Sequence, residues 1–543
     1  MSTATATAQV HELEAFTGSH LILHSARTAT PESAASAPEP HLASASPSTP
    51  QLSKLRTTLT VLLPALINFF SSFTTSIITL GLPVIATSLS LPRTLYLWPA
   101  SVFGLTSGAL LLIAGSVADV AGPRRVELIG MFLLAIFTLM CGVSATGVQL
   151  VVFRALQGIA MALHLPSSVA LLTGAIPPGR ARNIGFGCLG LSQPLGFSFG
   201  LVISGVMIDR AGWRSGFYLC GGAILVTGVC SVCFLPDDVV QPPPTSEGPS
   251  KRQQYLQIDW LGAMIASAGF AILVYVLALI SVDLSSIRSA TTSSLLSISA
   301  ILLLTFPFWM HYRERKGRKA LIPNVLWTNV PFASTCLMIA LSYGAVNAIE
   351  LFSSLYFQEV QGVTTLTASL YLLPSLLVGA FINITVGIFV HRVAARWLVT
   401  VSSILCALAP LMMAMNNPSW SYWYLELWAQ VFSPMSVDVL FTVGLIIISD
   451  TFPEETQALA GAVFSTVSQF GNTLGVGICQ VVALGIMAKY DTGENHISDE
   501  QDEARLLAGY RAGFWTIFVY MLICAFVAVL GLRQAGKIGL KRE

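Results

Sequence analysis

The chain has 543 residues, of which 54% are hydrophobic and only 10% are charged, and its formal net charge is +1. Soluble domains carry about 25% charged residues, so this composition excludes an ordinary soluble protein and indicates a surface that faces lipid. The near-neutral balance gives no sign of the basic surface that nucleic-acid binding requires.

Residues 1–52 are rich in Ala, Ser, Thr and Pro, as in the stretches PESAASAPEP and SASPSTP. A segment of this composition does not bury enough apolar surface to form a core. It also lacks the early apolar region of a cleavable signal peptide. We therefore expect a disordered cytoplasmic tail.

Fourteen apolar runs follow, each long enough to cross a bilayer as a helix, which takes roughly 20 residues. They predict an all-α polytopic membrane protein. The runs are centred near Asn68, Ser107, Leu134, Ile159, Leu195, Leu225, Ala271, Leu302, Ala345, Val378, Ala407, Val439, Gln469 and Cys524.

The positive charges predict the orientation of these helices, because Lys and Arg collect in short cytoplasmic loops. With the N-terminus inside, 19 of the 28 Lys and Arg residues fall in cytoplasmic segments and seven in external loops. We expect both termini to be cytoplasmic and the number of spans to be even.

Two hydrophilic interruptions divide the spans into groups of six, two and six. We expect two six-helix bundles joined by two linker helices, an arrangement that suggests a transporter built on repeats. The expected segments are a tail at 1–52, an N-terminal bundle at 53–236, a cytoplasmic loop at 237–258, linker helices at 259–310, a second loop at 311–331, a C-terminal bundle at 332–535 and a cytoplasmic C-terminus at 536–543.

The loop after the second span reads GSVADVAGPRR. Gly115 would permit close helix contact, Asp119 would act on a neighbouring helix N-terminus, and the arginines would pair with that acid. Such a cluster suits a conformational lock. Its members are Gly115, Asp119, Gly122, Arg124 and Arg125.

The fourth span contains RALQGIAMALHLP. A charge such as Arg154 costs at least about 2.5–3.5 kcal/mol inside a membrane, so we expect it to face a partner or a watery cavity. Gln157 shares its helix face, and His164 lies two turns further on. The alternatives are an arginine that packs helices by binding backbone carbonyls and a histidine that only joins two helices.

The stretch GFGCLGLSQPLGFSFG contains G-x-G-x-x-G at Gly185, Gly187 and Gly190. A dinucleotide fingerprint requires a preceding strand, and here the stretch lies in an uncharged, apolar run. Gly196 and Gly200 form a small-x-x-x-small face for helix packing, and Pro194 bends the helix. These glycines predict close helix contact and no phosphate site.

Together these segments resemble the major facilitator superfamily. Gly115 to Arg125 is similar to its loop signature, and Arg154-x-x-Gln157-Gly158 to its fourth-span signature. The segment from Gly190 to Gly200 is similar to its antiporter motif. The fourteen spans resemble the 14-spanner drug:proton antiporter family, in particular fungal members of the aminotriazole-resistance and ammonium-facilitator type.

The resemblance implies two bundles, alternating access and proton-coupled export. It assigns the lock to Asp119, Arg124 and Arg125, the proton-linked role to Arg154, and the antiporter bend to Gly190, Pro194 and Gly196. The chain departs from the pattern where Gln193 precedes Pro194. It departs again in the first span, where Asn68 and hydroxyls stand without a carboxylate.

Two carboxylates inside apolar runs, Glu350 and Asp438, are candidate proton carriers, because burial disfavours the charged form of an acid. The alternative is that Glu350 lies near the outer end of its span and that Asp438 only bonds a neighbouring helix. Further polar residues would line a cavity or pack helices: Asn68, Asn347, Ser465 and Asn472.

These observations favour a proton-coupled exporter of a small organic compound, such as a drug, a toxin or a secondary metabolite. The alternative is a facilitator of a small inorganic solute such as ammonium or borate. We expect no enzyme activity, cofactor, metal or nucleic-acid partner. We expect a monomer in the plasma membrane or the vacuolar membrane, whose partners are its substrate, protons and lipid.

Overall fold

The computed structural model describes most of the chain beyond the expected tail. The described residues are 54–92, 95–96, 98–176, 180–236, 259–282, 284–318, 320–389, 392–452, 454–490 and 499–533. The predicted tail at 1–52, the loop at 237–258 and the C-terminus at 536–543 lie outside the described residues.

Within this part of the chain, fourteen helices are long and apolar enough to cross a membrane, which confirms the predicted number of spans. They are numbered in chain order. The helices are α1 Lys54–Ser88, α2 Trp98–Ala121, α3 Pro123–Val143, α4 Gly147–Ala175, α5 Arg180–Ala211, α6 Trp213–Phe234, α7 Trp260–Val282, α8 Ala290–Arg315, α9 Val330–Leu355, α10 Thr365–Phe389, α11 Ala395–Met415, α12 as Glu426–Phe432 and Met435–Thr451, α13 Glu454–Met487 and α14 Asp499–Gly531.

Four short elements occur between or after the spans in the described part of the chain. Short helical turns lie at Leu284–Arg288, Val325–Thr328 and Ala488–Tyr490, and a π-helical turn at Tyr356–Val360 continues α9. A π-helical turn inside a longer helix is rare and is frequently found at functional sites.

The helices pack as two bundles with a linker pair. In the N-terminal bundle α1 packs against α5 and α6, and α4 packs against α2 and α3. In the C-terminal bundle α9 packs against α13 and α14, and α11 against α14. The linker helices α7 and α8 pack against each other, and α7 also contacts α2 and α13.

The second linker helix is longer than expected. Helix α8 continues to Arg315, beyond the predicted boundary at residue 310, because the basic residues of its last turn complement the negative end of the helix dipole. Asp259 ties its end to the start of α7, accepting hydrogen bonds from the Gly262 N–H at 2.9 Å and the Trp309 indole N–H at 3.0 Å. The Arg313 guanidinium lies 3.5 Å from the same carboxylate.

Candidate functional site

Arg154 lies in the middle of the N-terminal bundle and is completely buried. Its guanidinium donates to Gln157 Oε1 at 2.8 Å and to the Pro99 carbonyl at 3.2 Å, and it lies 4.6 Å from the centre of the Phe103 ring. Within the described residues its partners are an amide, a hydroxyl, a carbonyl and an aromatic face. No described carboxylate forms an ion pair with it.

Gln157 extends this network to three helices. Its amide donates to Thr74 Oγ1 of α1 at 3.1 Å and to Thr138 Oγ1 of α3 at 2.9 Å. Next to it, a Cβ on Gly158 would lie 2.4 Å from the Phe103 carbonyl oxygen, so only glycine permits this contact between α2 and α4. Because Arg154 binds groups that hold helices together, its geometry agrees with the helix-packing alternative.

His164 pairs with an acid that the sequence analysis missed. Its Nδ1 lies 2.9 Å from Glu127 Oε1 of α3, and both side chains are completely buried. The pair is held by close packing, since a Cβ on Gly130 would lie 3.0 Å from the His164 backbone nitrogen. The sequence did carry a signal for Glu127, because it is an acid inside the third apolar run.

The segment from Gly115 to Arg125 connects α2 to α3. Gly122 has φ of 98°, a conformation that favours glycine, and Arg124 donates to the Val232 carbonyl at the end of α6 at 2.9 Å. The Cβ position of Gly115 lies 3.6 Å from Pro166 of α4, an ordinary contact that alanine would also permit. The side chain of Asp119 lies outside the described part of the structure.

The antiporter-like segment of α5 is a helix-packing face. A Cβ on Gly196 would lie 2.1 Å from the Phe69 carbonyl oxygen, and one on Gly200 would lie 2.9 Å from the Phe73 Cα, so both glycines bring α5 against α1. Gly190 faces Phe441 of α12 at 3.5 Å, whereas Gly187 has open space around it. Helix α5 continues through Gln193 and Pro194 with no strand before it in the described chain, so this is no dinucleotide fold.

Glu350 of α9 and Asp438 of α12 lie within electrostatic range of each other inside the C-terminal bundle. Asp438 Oδ1 accepts a hydrogen bond from the Asn383 amide of α10 at 3.0 Å, and Gly379 leaves room for the carboxylate. Glu350 is half-buried and accepts no hydrogen bond from a described residue. Both acids therefore belong to the C-terminal bundle, Glu350 on α9 and Asp438 on α12 against α10.

The remaining polar candidates fall into different environments. Asn68 is buried, and its side-chain oxygen has no hydrogen-bond partner among the described residues. Asn347 donates to the Tyr343 carbonyl of its own helix at 2.9 Å. Asn472 is half-buried, whereas Ser465 is exposed. No hydrogen bond joins any two of these four side chains among the described residues.

Two glycines of α13, Gly471 and Gly475, allow close packing against α9. A Cβ on Gly471 would lie 2.2 Å from the Ala340 Cα, and one on Gly475 would lie 2.6 Å from the Gly344 Cα. These two glycines bring α13 against α9, whereas Gly461 has open space around its Cβ position.

The sequence analysis also missed Glu359, in the π-helical turn after α9. Its two carboxyl oxygens accept hydrogen bonds from the hydroxyls of Tyr96 and Tyr510. Tyr96 precedes α2 of the N-terminal bundle and Tyr510 belongs to α14 of the C-terminal bundle. This carboxyl group therefore links the two bundles at one end of the molecule.

Comparison with known proteins supplies the family. The sequence model of the Major Facilitator Superfamily matches residues 65–476. The chain is 37% identical to MFS-type transporter 1 of Pyricularia oryzae, over 90% of this chain and 85% of the relative. It is 26% identical to the low affinity ammonium transporter of Saccharomyces cerevisiae, over 77% of each chain.

Two further similarities bear on function and on fold. The efflux pump terJ of Aspergillus terreus is 25% identical over 78% of this chain and 77% of the relative. Among solved structures, an inward-facing bacterial homologue of the human lysosomal transporter Spinster superposes with a TM-score of 0.61 at 15% identity. That match covers 89% of this chain and 98% of the other, and it supports the fold alone.

Proposed function

We propose that this protein couples proton entry to the export of a small organic compound by alternating access. The proposal starts from its family, because the chain belongs to the Major Facilitator Superfamily and is a multi-pass membrane transporter of small molecules. The compound class is a drug, a toxin or a secondary metabolite. The protein acts as a monomer in the plasma membrane or the vacuolar membrane, with both termini in the cytoplasm.

The site formed by Glu350 and Asp438 is the observation that carries the proposal. Two acids within electrostatic range of each other resist being ionised together, so a proton bound by one stabilises the pair. Glu350 lies half-buried without a described hydrogen-bond partner, whereas Asp438 is fixed by Asn383 at 3.0 Å. Glu350 is accordingly the acid that exchanges its proton, and Asp438 the acid that tunes it.

The N-terminal bundle moves as a rigid unit during the transport cycle. The network of Arg154 and Gln157 and the pair of His164 with Glu127 hold α1 to α4 together as the bundles move. Helix α5 slides with α1 as one body because Gly196 and Gly200 bring them into contact. The turn that contains Gly122 and Arg124 is proposed to lock the transporter in one of its conformations.

Similarity to an efflux pump supports the direction of transport as outward. A second candidate function is the facilitated transport of ammonium or borate. It is favoured by the 26% identity to the low affinity ammonium transporter. The first span adds to it, because it carries the buried Asn68 and no carboxylate.

Untargeted metabolite profiling of cells and medium, with and without the gene, tests the proposal. Export predicts a compound that moves from the medium to the cell interior when the gene is deleted. An unchanged profile together with altered growth on ammonium or borate would instead support the second function. Flux of the identified compound into reconstituted vesicles, with and without an imposed pH gradient, then tests the proton coupling.

A further inference from the structure

Hydrogen bonds join the two bundles at the end where α1 finishes and α2 begins, which the distribution of Lys and Arg predicts to face outward. We call it the outer end. The Ser354 hydroxyl donates to the Thr79 carbonyl at 2.9 Å, and the Gln358 amide donates to the Leu80 carbonyl at 2.8 Å. The structure therefore shows the outer end closed along α1 and α9.

Glu359 lies at the centre of this closed end, one residue after Gln358. The π-helical turn Tyr356–Val360 directs its carboxyl group between Tyr96 of one bundle and Tyr510 of the other. Part of the Glu359 side chain stays exposed, while Tyr510 is only 3% exposed.

Burial is the main factor that disfavours a negative charge on Glu359, and the carboxylate of Asp502 adds to it, whereas the tyrosine hydrogen bonds and the Arg505 guanidinium favour that charge. Among the described residues, the titratable and charged groups that face it are Tyr96, Tyr510, Asp502 and Arg505. The Arg505 guanidinium already pairs with Asp502 at 2.6 Å. Burial, with a contribution from the Glu359 carboxylate, raises the pKa of Tyr96 above its ordinary value, so this hydroxyl keeps its proton.

A neutral carboxylic acid fits this environment without losing a hydrogen bond. Its carbonyl oxygen accepts from one tyrosine, and its own O–H donates to the hydroxyl oxygen of the other. An ionised Glu359 would keep both bonds, and they would be stronger because the acceptor is charged, but burial takes that charge out of water, which is the larger effect. The closed outer end therefore binds a proton at Glu359 more favourably than an open, hydrated outer end does.

We propose that Glu359 is a proton-binding residue of the outer gate, protonated when the bundles close over it and ionised when they separate. By linkage, a proton taken up from the outside favours closure, and loss of that proton favours opening. The inference deepens the proposed function and rests on it, because it names a second place where a proton changes the conformation.

The test measures the distance across the outer end directly. Spin labels are attached at Thr87, exposed at the end of α1, and at Ser419, exposed between α11 and α12. The exposed Cys188 and Cys233 are first replaced by serine. The full-length protein is reconstituted in lipid, and the distance distribution is recorded at acidic and at alkaline pH. We expect the distance to lengthen as the pH is raised.

The decisive variant is Glu359→Gln, whose amide has the hydrogen-bonding pattern of the neutral acid. We expect it to stay at the short distance at both pH values. Its matched control is Glu426→Gln, because Glu426 is also a buried carboxyl group near this end. That group accepts from Gln361 and Asn416 of its own bundle at 2.6 and 2.5 Å. The control should keep the parental response.

A second pair of variants keeps the test valid if Glu359→Gln does not fold. Tyr96→Phe removes the hydroxyl that connects the bundles and should increase the long-distance population at acidic pH. Tyr422→Phe removes a hydroxyl that donates to the Tyr371 carbonyl of the same bundle at 2.8 Å. This control should leave the long-distance population unchanged.

A distance that does not change with pH in the parent, or a Glu359→Gln variant that follows the parent, would overturn the inference. Failure of the proposed function has a different signature. In that case the outer end still responds to pH, but flux into vesicles does not depend on an imposed pH gradient.

Discussion

Glu127 Oε1 and His164 Nδ1 lie 2.9 Å apart, and both side chains are completely buried between α3 and α4. Taking one partner away leaves the other in an apolar interior without compensation, which costs about 3–5 kcal/mol. A buried pair of this kind is therefore a strong constraint on how the two helices pack.

We predict that His164→Asn lowers the free energy of unfolding by about 3–5 kcal/mol. The double variant that also carries Glu127→Gln should regain part of that lost stability. Chemical denaturation of the purified protein in lipid nanodiscs measures both. The prediction fails if His164→Asn is as stable as the parent while its transport loses pH dependence. That pattern would make His164 a proton carrier.

Arg154→Ala should reduce transport by at least about tenfold, because a loss of roughly 1.4 kcal/mol at a positioned contact already has that effect. It removes the donor to Gln157 and to the Pro99 carbonyl and leaves a cavity beside Phe103. Arg154→Lys keeps the charge but loses the planar fork, so it should restore only part of the activity.

Flux into vesicles, normalised to inserted protein, checks the Arg154 variants. Normal transport by Arg154→Ala would show that transport does not need the buried network that Arg154 forms with Gln157 and the Pro99 carbonyl. An alanine variant that fails to insert would instead assign it a purely structural role.

Glu350→Gln and Asp438→Asn should each flatten the pH dependence of transport, because each variant removes one ionisable member of an interacting pair. The measurement is the initial rate of flux against pH. Glu426→Gln is the control, since it changes a carboxyl group of the same bundle outside this pair. If both test variants keep the parental profile, the transported proton is carried elsewhere.

Gly196→Ala should sharply reduce the amount of folded protein, because the new Cβ would lie 2.1 Å from the Phe69 carbonyl oxygen of α1. Overpacking typically costs about 1–3 kcal/mol, and backbone on the opposing side leaves little room to relax. Gly187→Ala is the matched control, because nothing lies within 4 Å of its Cβ position.

Fluorescence-detected size-exclusion chromatography of the two glycine variants compares them directly. Equal amounts of folded Gly196→Ala and Gly187→Ala protein would show that moving α5 away from α1 does not lower the stability of the fold. A lower amount of folded protein for Gly187→Ala would contradict the open space around Gly187, the middle glycine of the G-x-G-x-x-G pattern.

The sequence by itself determined the number of spans and the class of fold. Bilayer thickness sets a length that each apolar run must reach, and this requirement is local in the chain. The glycine spacing of α5 was likewise sufficient to separate a helix-packing face from a dinucleotide site. The absence of a preceding strand is visible in the residues themselves.

Only the tertiary structure decided which polar groups meet. Arg154 had a local partner in Gln157, which spacing predicted, but its Pro99 and Phe103 contacts depend on how α2 lies against α4. Glu127 lies 37 residues from His164 in the sequence, and Glu359 lies 263 residues from Tyr96. The rotation and tilt of each helix set such contacts, and the packing of all its neighbours sets those angles.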